Sequence, residues 1–224
     1  MGGKDDGMTK TIKIMLADDH GITRDGLKAL LVKEPGMQVV AEAGNGREAV
    51  RLASRYEPDV VVMDINMPEL NGIEATRQIK AAMPRVKVIA LSMFSERRYV
   101  TRMLKVGVSG YLLKHSAFEE LALAIRAVMR GEGYLSQKIA HILMEGYADN
   151  MDGNDESCLS SLTSREMEVL QLLAEGLGTK DVADRMCVSV KTVSTHRSRV
   201  MEKLKADSIA ALTKIAIREG LVSL

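Results

Sequence analysis

Three aspartates, a serine and a lysine stand where a parallel sheet would bring them together. Asp64 ends the apolar run in VVMDINMPELNG, Asp18 and Asp19 follow IKIMLA, Ser92 follows VKVIAL, and Lys114 follows SGYLL. Buried strands of parallel sheets read as such runs, and functional groups collect just beyond their carboxyl ends. Three crowded carboxylates repel and raise one another's pKa unless a cation sits among them. Magnesium suits the set, as a hard ion held by a few carboxylates with water and phosphate oxygens completing its shell. Asp64 could then act as a nucleophile that becomes an aspartyl-phosphate. The metal would neutralise charge on the incoming phosphoryl group while Lys114 holds one of its oxygens. Taken singly, each residue has a plainer reading: Asp18 and Asp19 as a helix cap or solvated loop, Ser92 as a strand-end hydroxyl, Lys114 as a surface lysine. The complete set at one sheet edge favours chemistry.

The pattern from residue 12 supplies that edge. Strands are expected at Ile12 to Ala17, Gln38 to Ala43, Asp59 to Met63, Val86 to Leu91 and Ser109 to Leu113. Helices are expected at about Ile22 to Val32, Arg47 to Tyr56, Ile73 to Ala82, Arg97 to Val106 and Phe118 to Arg130. Five alternations predict an α/β domain, a doubly wound five-stranded parallel sheet of the flavodoxin-like kind with helices on both faces, over residues 10–130. Residues 131–158, a weakly helical stretch from Ser136 to Gly146 followed by the polar YADNMDGNDES, read as a linker with a short helix. From 159 to 224 only helical periodicity appears, at Ser164 to Ala174, Thr179 to Met186, Val190 to Leu204 and Ser208 to Arg218, predicting a second, all-α domain.

The first half resembles the receiver domain of two-component response regulators, on LADDH, VVMDINMPELNG, VIALS and GVSGYLLK. The resemblance implies that Asp64 accepts a phosphoryl group from a sensor histidine kinase. It also implies that Asp18, Asp19 and the backbone carbonyl of Asn66 help place magnesium, that Ser92 and Tyr111 form a switch pair, and that Lys114 is the family's lysine. His115 follows Lys114 where many receivers carry proline. Hydrogen bonds to the phosphoryl group from Ser92 and Lys114 would contribute about 1.5 to 3 kcal/mol each. Reversing a 1:99 population needs about 5.5 kcal/mol, so two such bonds nearly suffice. Tyr111 swinging inward behind Ser92 would report the change on the outer face.

Two other signals carry less. Gly44, Gly46 and Ala49 spell G-x-G-x-x-A before a helix, but a dinucleotide fingerprint belongs to the first strand-to-helix turn of its fold, and these glycines follow the second strand. A tight turn with Asn45 as helix cap is the better reading. Cys158 and Cys187 match no metal or redox spacing and read as small buried or incidental thiols. At 46% hydrophobic and 27% charged, with no apolar run of the roughly 20 residues that span a membrane, the chain is expected to be a cytoplasmic globular protein. Its net charge of +1 gives no global sign of nucleic acid, so any such sign is local.

It is local to Lys191–Lys205, where Lys191, Arg197, Arg199, Lys203 and Lys205 face only Glu202. Val190, Val193, Val200 and Leu204 fall on one face of that helix, and Lys191, Thr195, Ser198 and Lys205 on another. The preceding short helix and the turn Cys187 to Ser189 make a helix-turn-helix, whose second helix enters the major groove. LTSREMEVLQLLAEGLGTKDVADRMCVSVKTVSTHRSRVMEKL resembles the four-helix DNA-binding domain of NarL/LuxR-type regulators. The resemblance implies that Ser194, Thr195 and Ser198 face bases while Lys191, Thr192, Arg197, Arg199 and Lys203 reach phosphates, with His196 the family's common histidine in a structural place. Serines at base-facing positions imply modest direct readout. A homodimer on double-stranded DNA is expected, since one such domain touches few base pairs; Ala210, Ala211, Ile215 and Ala216 of the last helix fit that contact or the core equally.

The expected function is thus a DNA-binding transcriptional response regulator controlled at Asp64, and not an enzyme. Two alternatives stand beside it: a regulator that binds DNA without phosphorylation and uses its receiver to dimerise, and a magnesium-dependent phosphohydrolase. The latter usually needs a cap or deep pocket, and no insertion provides one.

Overall fold

The computed structural model describes residues 11–93, 95–149 and 158–222. The polar start of the chain and the acidic part of the expected linker, 150–157, lie outside these. The first domain alternates β1 (Ile12–Ala17), α1 (Gly21–Leu31), β2 (Met37–Ala43), α2 (Gly46–Tyr56), β3 (Val60–Asp64), α3 (Gly72–Ala82), β4 (Lys87–Ser92), α4 (Arg97–Lys105), β5 (Gly110–Leu113) and α5 (Ala117–Met129). All strands pair in parallel in the order β2-β1-β3-β4-β5, so chain direction across the sheet reverses between β1 and β3. A crevice opens at such a reversal, outside the carboxyl ends of the strands. On one face Leu27, Leu31, Leu121, Ile125 and Val128 pack against Ile14, Val62 and Ile89; on the other Leu52, Ala53, Ala75 and Ile79 pack against Met15, Val61 and Val88. Burial on both faces explains why these strands read as apolar runs rather than alternations.

The sheet continues one strand beyond the five expected. β6 (Tyr134–Leu135) pairs with β5 through Gly110↔Tyr134 and Tyr111↔Leu135, and the Ser136 amide donates to the Tyr111 carbonyl at 3.0 Å. Two residues are too few to show a periodicity, so no sequence pattern marks this strand. It leads into α6 (Gln137–Asp149), whose Ile139 is buried in one cluster with Tyr99, Met103 and Tyr111.

The second domain comprises α7 (Ser164–Ala174), α8 (Thr179–Met186), α9 (Val190–Lys203) and α10 (Ile209–Arg218) around Leu170, Val182, Val193, Val200, Leu212 and Ala216. Each helix start has a local cause except that of α8, where Gly178 offers no side chain. Thr163 and Glu166 form a reciprocal capping box on α7, Ser189 caps α9 and Ser208 caps α10. Cys187 ends α8 in the left-handed region at φ 52°, turning the chain into α9. Both cysteines are free and exposed, which sets aside the expectation of burial. No described helix is long and apolar enough to cross a membrane.

Two glycines fix how closely the loops after β2 and β3 approach the sheet edge. A Cβ on Gly72 would overlap the Asp64 carbonyl, and one on Gly46 would overlap the Leu70 carbonyl. Overpacking of this kind typically costs about 1–3 kcal/mol. Gly72→Ala is therefore expected to lower the unfolding free energy by that amount, read as a lower urea midpoint at unchanged slope, whereas Gly133→Ala, with only the Ser109 carbonyl at 4.0 Å, should leave the midpoint nearly unmoved.

Candidate functional site

Hydrogen bonds just past the strand ends carry the chemical residues to one place. The Asp18 amide donates to the Ala43 carbonyl at 3.1 Å, the Ile65 amide to Leu91 at 3.2 Å and the Lys114 amide to Ser92 at 2.8 Å, so each ladder runs on into the site. Asp18, Asp64 and Ser92 are buried, at 1%, 3% and 1% exposure. The Lys114 ammonium lies 2.7 Å from Asp64 Oδ2 and 2.7 Å from Asp18 Oδ2, bridging the two carboxylates. His20 Nδ1 lies 2.8 Å from Asp19 Oδ1 and 3.1 Å from Asp18 Oδ1. Asp18, Asp19 and Asp64 each offer an oxygen within a set, completed by His20, whose ligand atoms lie within 4.8 Å of one another. The sequence residues thus converge as a group; His20 was not singled out in advance, since a lone histidine beside acids gives no spacing signal.

The electrostatics follow from burial. Asp64 is raised from 3.8 to about 6, first by burial and then by the Asp18 carboxylate, against the pull of Lys114 and the Asn66 amide. Burial lowers Lys114, but Asp64 and Asp18 more than offset it and hold the ammonium charged. Tyr111 is fully buried and pushed up to about 12, chiefly by burial, with a Ser92 hydrogen bond opposing. Its ring already lies inward, in the cluster with Tyr99 and Ile139.

The G-x-G-x-x-A stretch is a helix start. The Asn45 side chain accepts from the Glu48 amide at 2.8 Å while Glu48 accepts from the Gly44 amide at 3.0 Å, so both amides are taken by the capping side chains rather than held for a pyrophosphate.

On the second domain, Lys191, Ser194, Thr195, Ser198 and Arg199 of α9 are exposed on the side opposite the buried Val193 and Val200, with Thr192 and Arg197 partly exposed. Val190 is exposed rather than packed with them. The Thr195 and Ser198 hydroxyls donate back to the carbonyls of Lys191 and Ser194, and Thr192 Oγ1 shares a hydrogen bond with the capping Ser189. Lys203 is engaged inside the domain, donating to Glu166 at 2.7 Å and to the Ser161 carbonyl at 3.0 Å. On α10, Ala216 is in the core and Ala210 is exposed.

The two domains touch at the Asp64 site. Gln171 of α7, 1% exposed, accepts from the Asn71 amide and side chain at 2.8 and 2.9 Å and donates to the Met67 carbonyl at 3.0 Å. Glu175 accepts from the Glu69 amide, Arg185 pairs with Glu69 at 2.7 Å and Arg47 pairs with the buried Glu168. Arg98 and Arg102 of α4 donate to the carbonyls of Arg218 and Glu219 at the end of α10. No sequence signal marked these residues, because polar side chains on a helix read as solvent-facing until a partner is known.

A parallel sheet with an acid cluster at its reversal point, joined to a helix-turn-helix bundle, defines a class in which a chemical event on one domain is read out by the other. Known proteins agree. The family profile for the response regulator receiver domain matches residues 14–126, and that for bacterial regulatory proteins of the luxR family matches residues 160–216. The chain is 37% identical to the transcriptional regulatory protein DegU of Brevibacillus brevis, over 94% of this chain and 95% of that one. It is 39% identical to the oxygen regulatory protein NreC of Staphylococcus epidermidis, over 94% and 99%. Among solved structures it is similar to the RcsB response regulator of Salmonella typhimurium, with TM-score 0.59 at 26% identity over 92% of this chain and 98% of that one. A LuxR-family response regulator from Aurantimonas gives 0.60 at 38% identity, over 62% and 99%. The chain belongs to the LuxR-type response regulators. It is a DNA-binding transcriptional regulator of the two-component kind.

The raised carboxyl of Asp64 has a measurable cost. Below about pH 3 it is protonated in folded and unfolded chains alike. As pH rises toward 6 the unfolded chain ionises first, so stability falls and levels off about 3 kcal/mol lower, from a folded value near 6 against 3.8. Asp64→Asn does not titrate, though it takes one partner from Lys114. Urea unfolding without divalent cation should find it about 1–3 kcal/mol more stable than wild type at pH 7.5, with the difference shrinking as pH falls through 6 and vanishing below about pH 3.

Proposed function

We propose that Asp64 is the phosphoacceptor of this regulator, that a sensor histidine kinase supplies the phosphoryl group, and that residues 10–130, 131–158 and 159–224 are its receiver, linker and DNA-binding domain. The observation that carries this reading is the Lys114 ammonium, 2.7 Å from both Asp64 and Asp18. An Asp64 carboxylate oxygen attacks phosphorus, a P–O bond forms, and the P–N bond to the kinase histidine breaks, returning its electron pair to the imidazole. With a value near 6, Asp64 is mainly ionised at neutral pH and ready to attack. Lys114 is placed to follow the phosphoryl oxygens as the Asp64 charge is consumed. Ser92 and Tyr111, already joined by a hydrogen bond, form the switch pair.

The donor set fits magnesium. Its oxygens are hard ligands, a cationic ammonium already bridges two of the carboxylates, and Asn66, whose amide donates to Asp64 at 3.4 Å, has a buried Oδ1 without a partner. Asp18, Asp19, Asp64 and the Asn66 carbonyl would hold the ion, which when bound neutralises charge on the phosphoryl oxygens. The phosphoryl group on Asp64 is a signal rather than an intermediate toward a product, and the protein works in the cytoplasm.

For DNA, we assign base-facing positions to Ser194, Thr195 and Ser198 and phosphate contacts to Lys191, Thr192, Arg197 and Arg199, in a homodimer on double-stranded DNA. Lys203 matches the family pattern for phosphate contact, but its bonds to Glu166 and Ser161 favour a structural part. The exposure of α9 before phosphorylation favours one alternative, that some DNA binding is independent of Asp64.

Phosphoramidate with magnesium is expected to tighten DNA binding of wild type in a mobility-shift titration, and neither Asp64→Asn nor EDTA-treated wild type should respond. Equal binding in all arms would favour the phosphorylation-independent regulator. Lys191→Ala and Arg199→Ala should each lower the slope of log affinity against log salt by about one, the signature of a lost phosphate contact.

A further inference from the structure

The solvent side of α9 carries two rows of side chains. Residues four apart on a helix lie one above another, so Val190, Ser194 and Ser198 form one row and Lys191, Thr195 and Arg199 the other, all of them exposed. Cations stand only at the two ends of the second row. Between them the face offers short hydroxyls and methyl groups, and α9 contains no asparagine or glutamine.

Two of the hydroxyls are already committed as donors. Thr195 Oγ1 donates to the Lys191 carbonyl at 3.0 Å and Ser198 Oγ to the Ser194 carbonyl at 3.1 Å. A hydroxyl has one donor and two acceptor positions, so what these oxygens still offer outward is lone pairs. To donate to a base, each would first give up its bond to the helix. In the major groove guanine presents only acceptors, N7 and O6, whereas adenine presents an N6 amino donor and its thymine partner a methyl group. Cytosine also has an amino donor, but its pair carries no methyl. Val190 supplies the surface a methyl would meet: it is 48% exposed and stands outside the packed cluster of the second domain. Thr195 carries a methyl of its own beside its oxygen.

We infer that α9 selects adenine·thymine pairs, with Thr195 and Ser198 accepting from adenine N6 and Val190 packing against a thymine methyl. This rests on α9 lying in the major groove with Ser194, Thr195 and Ser198 toward the bases. Guanine is rejected because the donors it needs are spent within the helix, and cytosine because it leaves Val190 without an apolar partner.

The test is selection of duplexes from a random library by the full chain with phosphoramidate and magnesium. The selected duplex is then titrated with uracil in place of single thymines, or with purine, which lacks the amino group, in place of single adenines. Adenine·thymine pairs should be enriched in each half-site. Uracil at one of these thymines should weaken wild-type binding by about threefold or more, the worth of a buried methyl, and should leave Val190→Ala unaffected. Purine at one of the adenines should weaken wild type about twofold to tenfold, the worth of one hydrogen bond, and leave Thr195→Val or Ser198→Ala unaffected. All three variants change exposed positions and should keep the wild-type salt slope, since none removes a phosphate contact. Guanine or cytosine enriched at positions whose identity changes in Thr195→Val or Ser198→Ala would overturn the inference while leaving α9 in the groove, and so would salt-dependent binding that enriches no sequence. If a sequence is enriched but neither it nor the penalties change in any variant, the base-facing placement of α9 falls and the inference with it.

Discussion

A carboxylate held at the buried end of a β-strand is the constraint on which the rest depends. Asp64 is surrounded by apolar strands and faces Asp18, and both influences push its carboxyl toward the neutral form. Lys114 opposes them from 2.7 Å, and the ladder bond from its amide to Ser92 fixes it there. The parallel order of β1, β3, β4 and β5 is what sets these groups side by side. The site is thus poised: one cation balances two buried acids, and adding a phosphoryl group or a divalent ion must redistribute every bond among them.

That redistribution has two routes outward. Tyr111 shares a core with Tyr99 of α4 and Ile139 of α6, and its carbonyl anchors the chain that leads toward the second domain. The loop after β3 is gripped from above by Gln171. Both routes end on the DNA-binding domain, one through its covalent connection and α4, the other through direct contact. A closed-packed core transmits such changes as discrete alternatives rather than gradual bends.

Much of this was legible in the residue order. The acids, the serine and the lysine could be placed because each follows an apolar run, and strands buried on both faces advertise themselves in that way. The helix-turn-helix was legible from its periodicity and from the turn at Cys187. What escaped was either too short or too ordinary. β6 has two residues and no pattern to show. Gln171, Glu168 and Arg47 have the composition of solvated helix positions, and only the fold reveals that the first two are buried across a domain boundary. Lys203 carried the charge expected of a phosphate contact, yet a buried Glu166 claims it. Charge is readable from sequence, but the partner that neutralises it is not.

The most direct test of the central claim is chemical. After incubation with phosphoramidate and magnesium, borohydride reduction converts an aspartyl-phosphate to homoserine, which peptide mass spectrometry can locate. The account predicts homoserine at position 64 and at no other aspartate. Reduction at a different residue, or none in a folded protein supplied with magnesium, would contradict it.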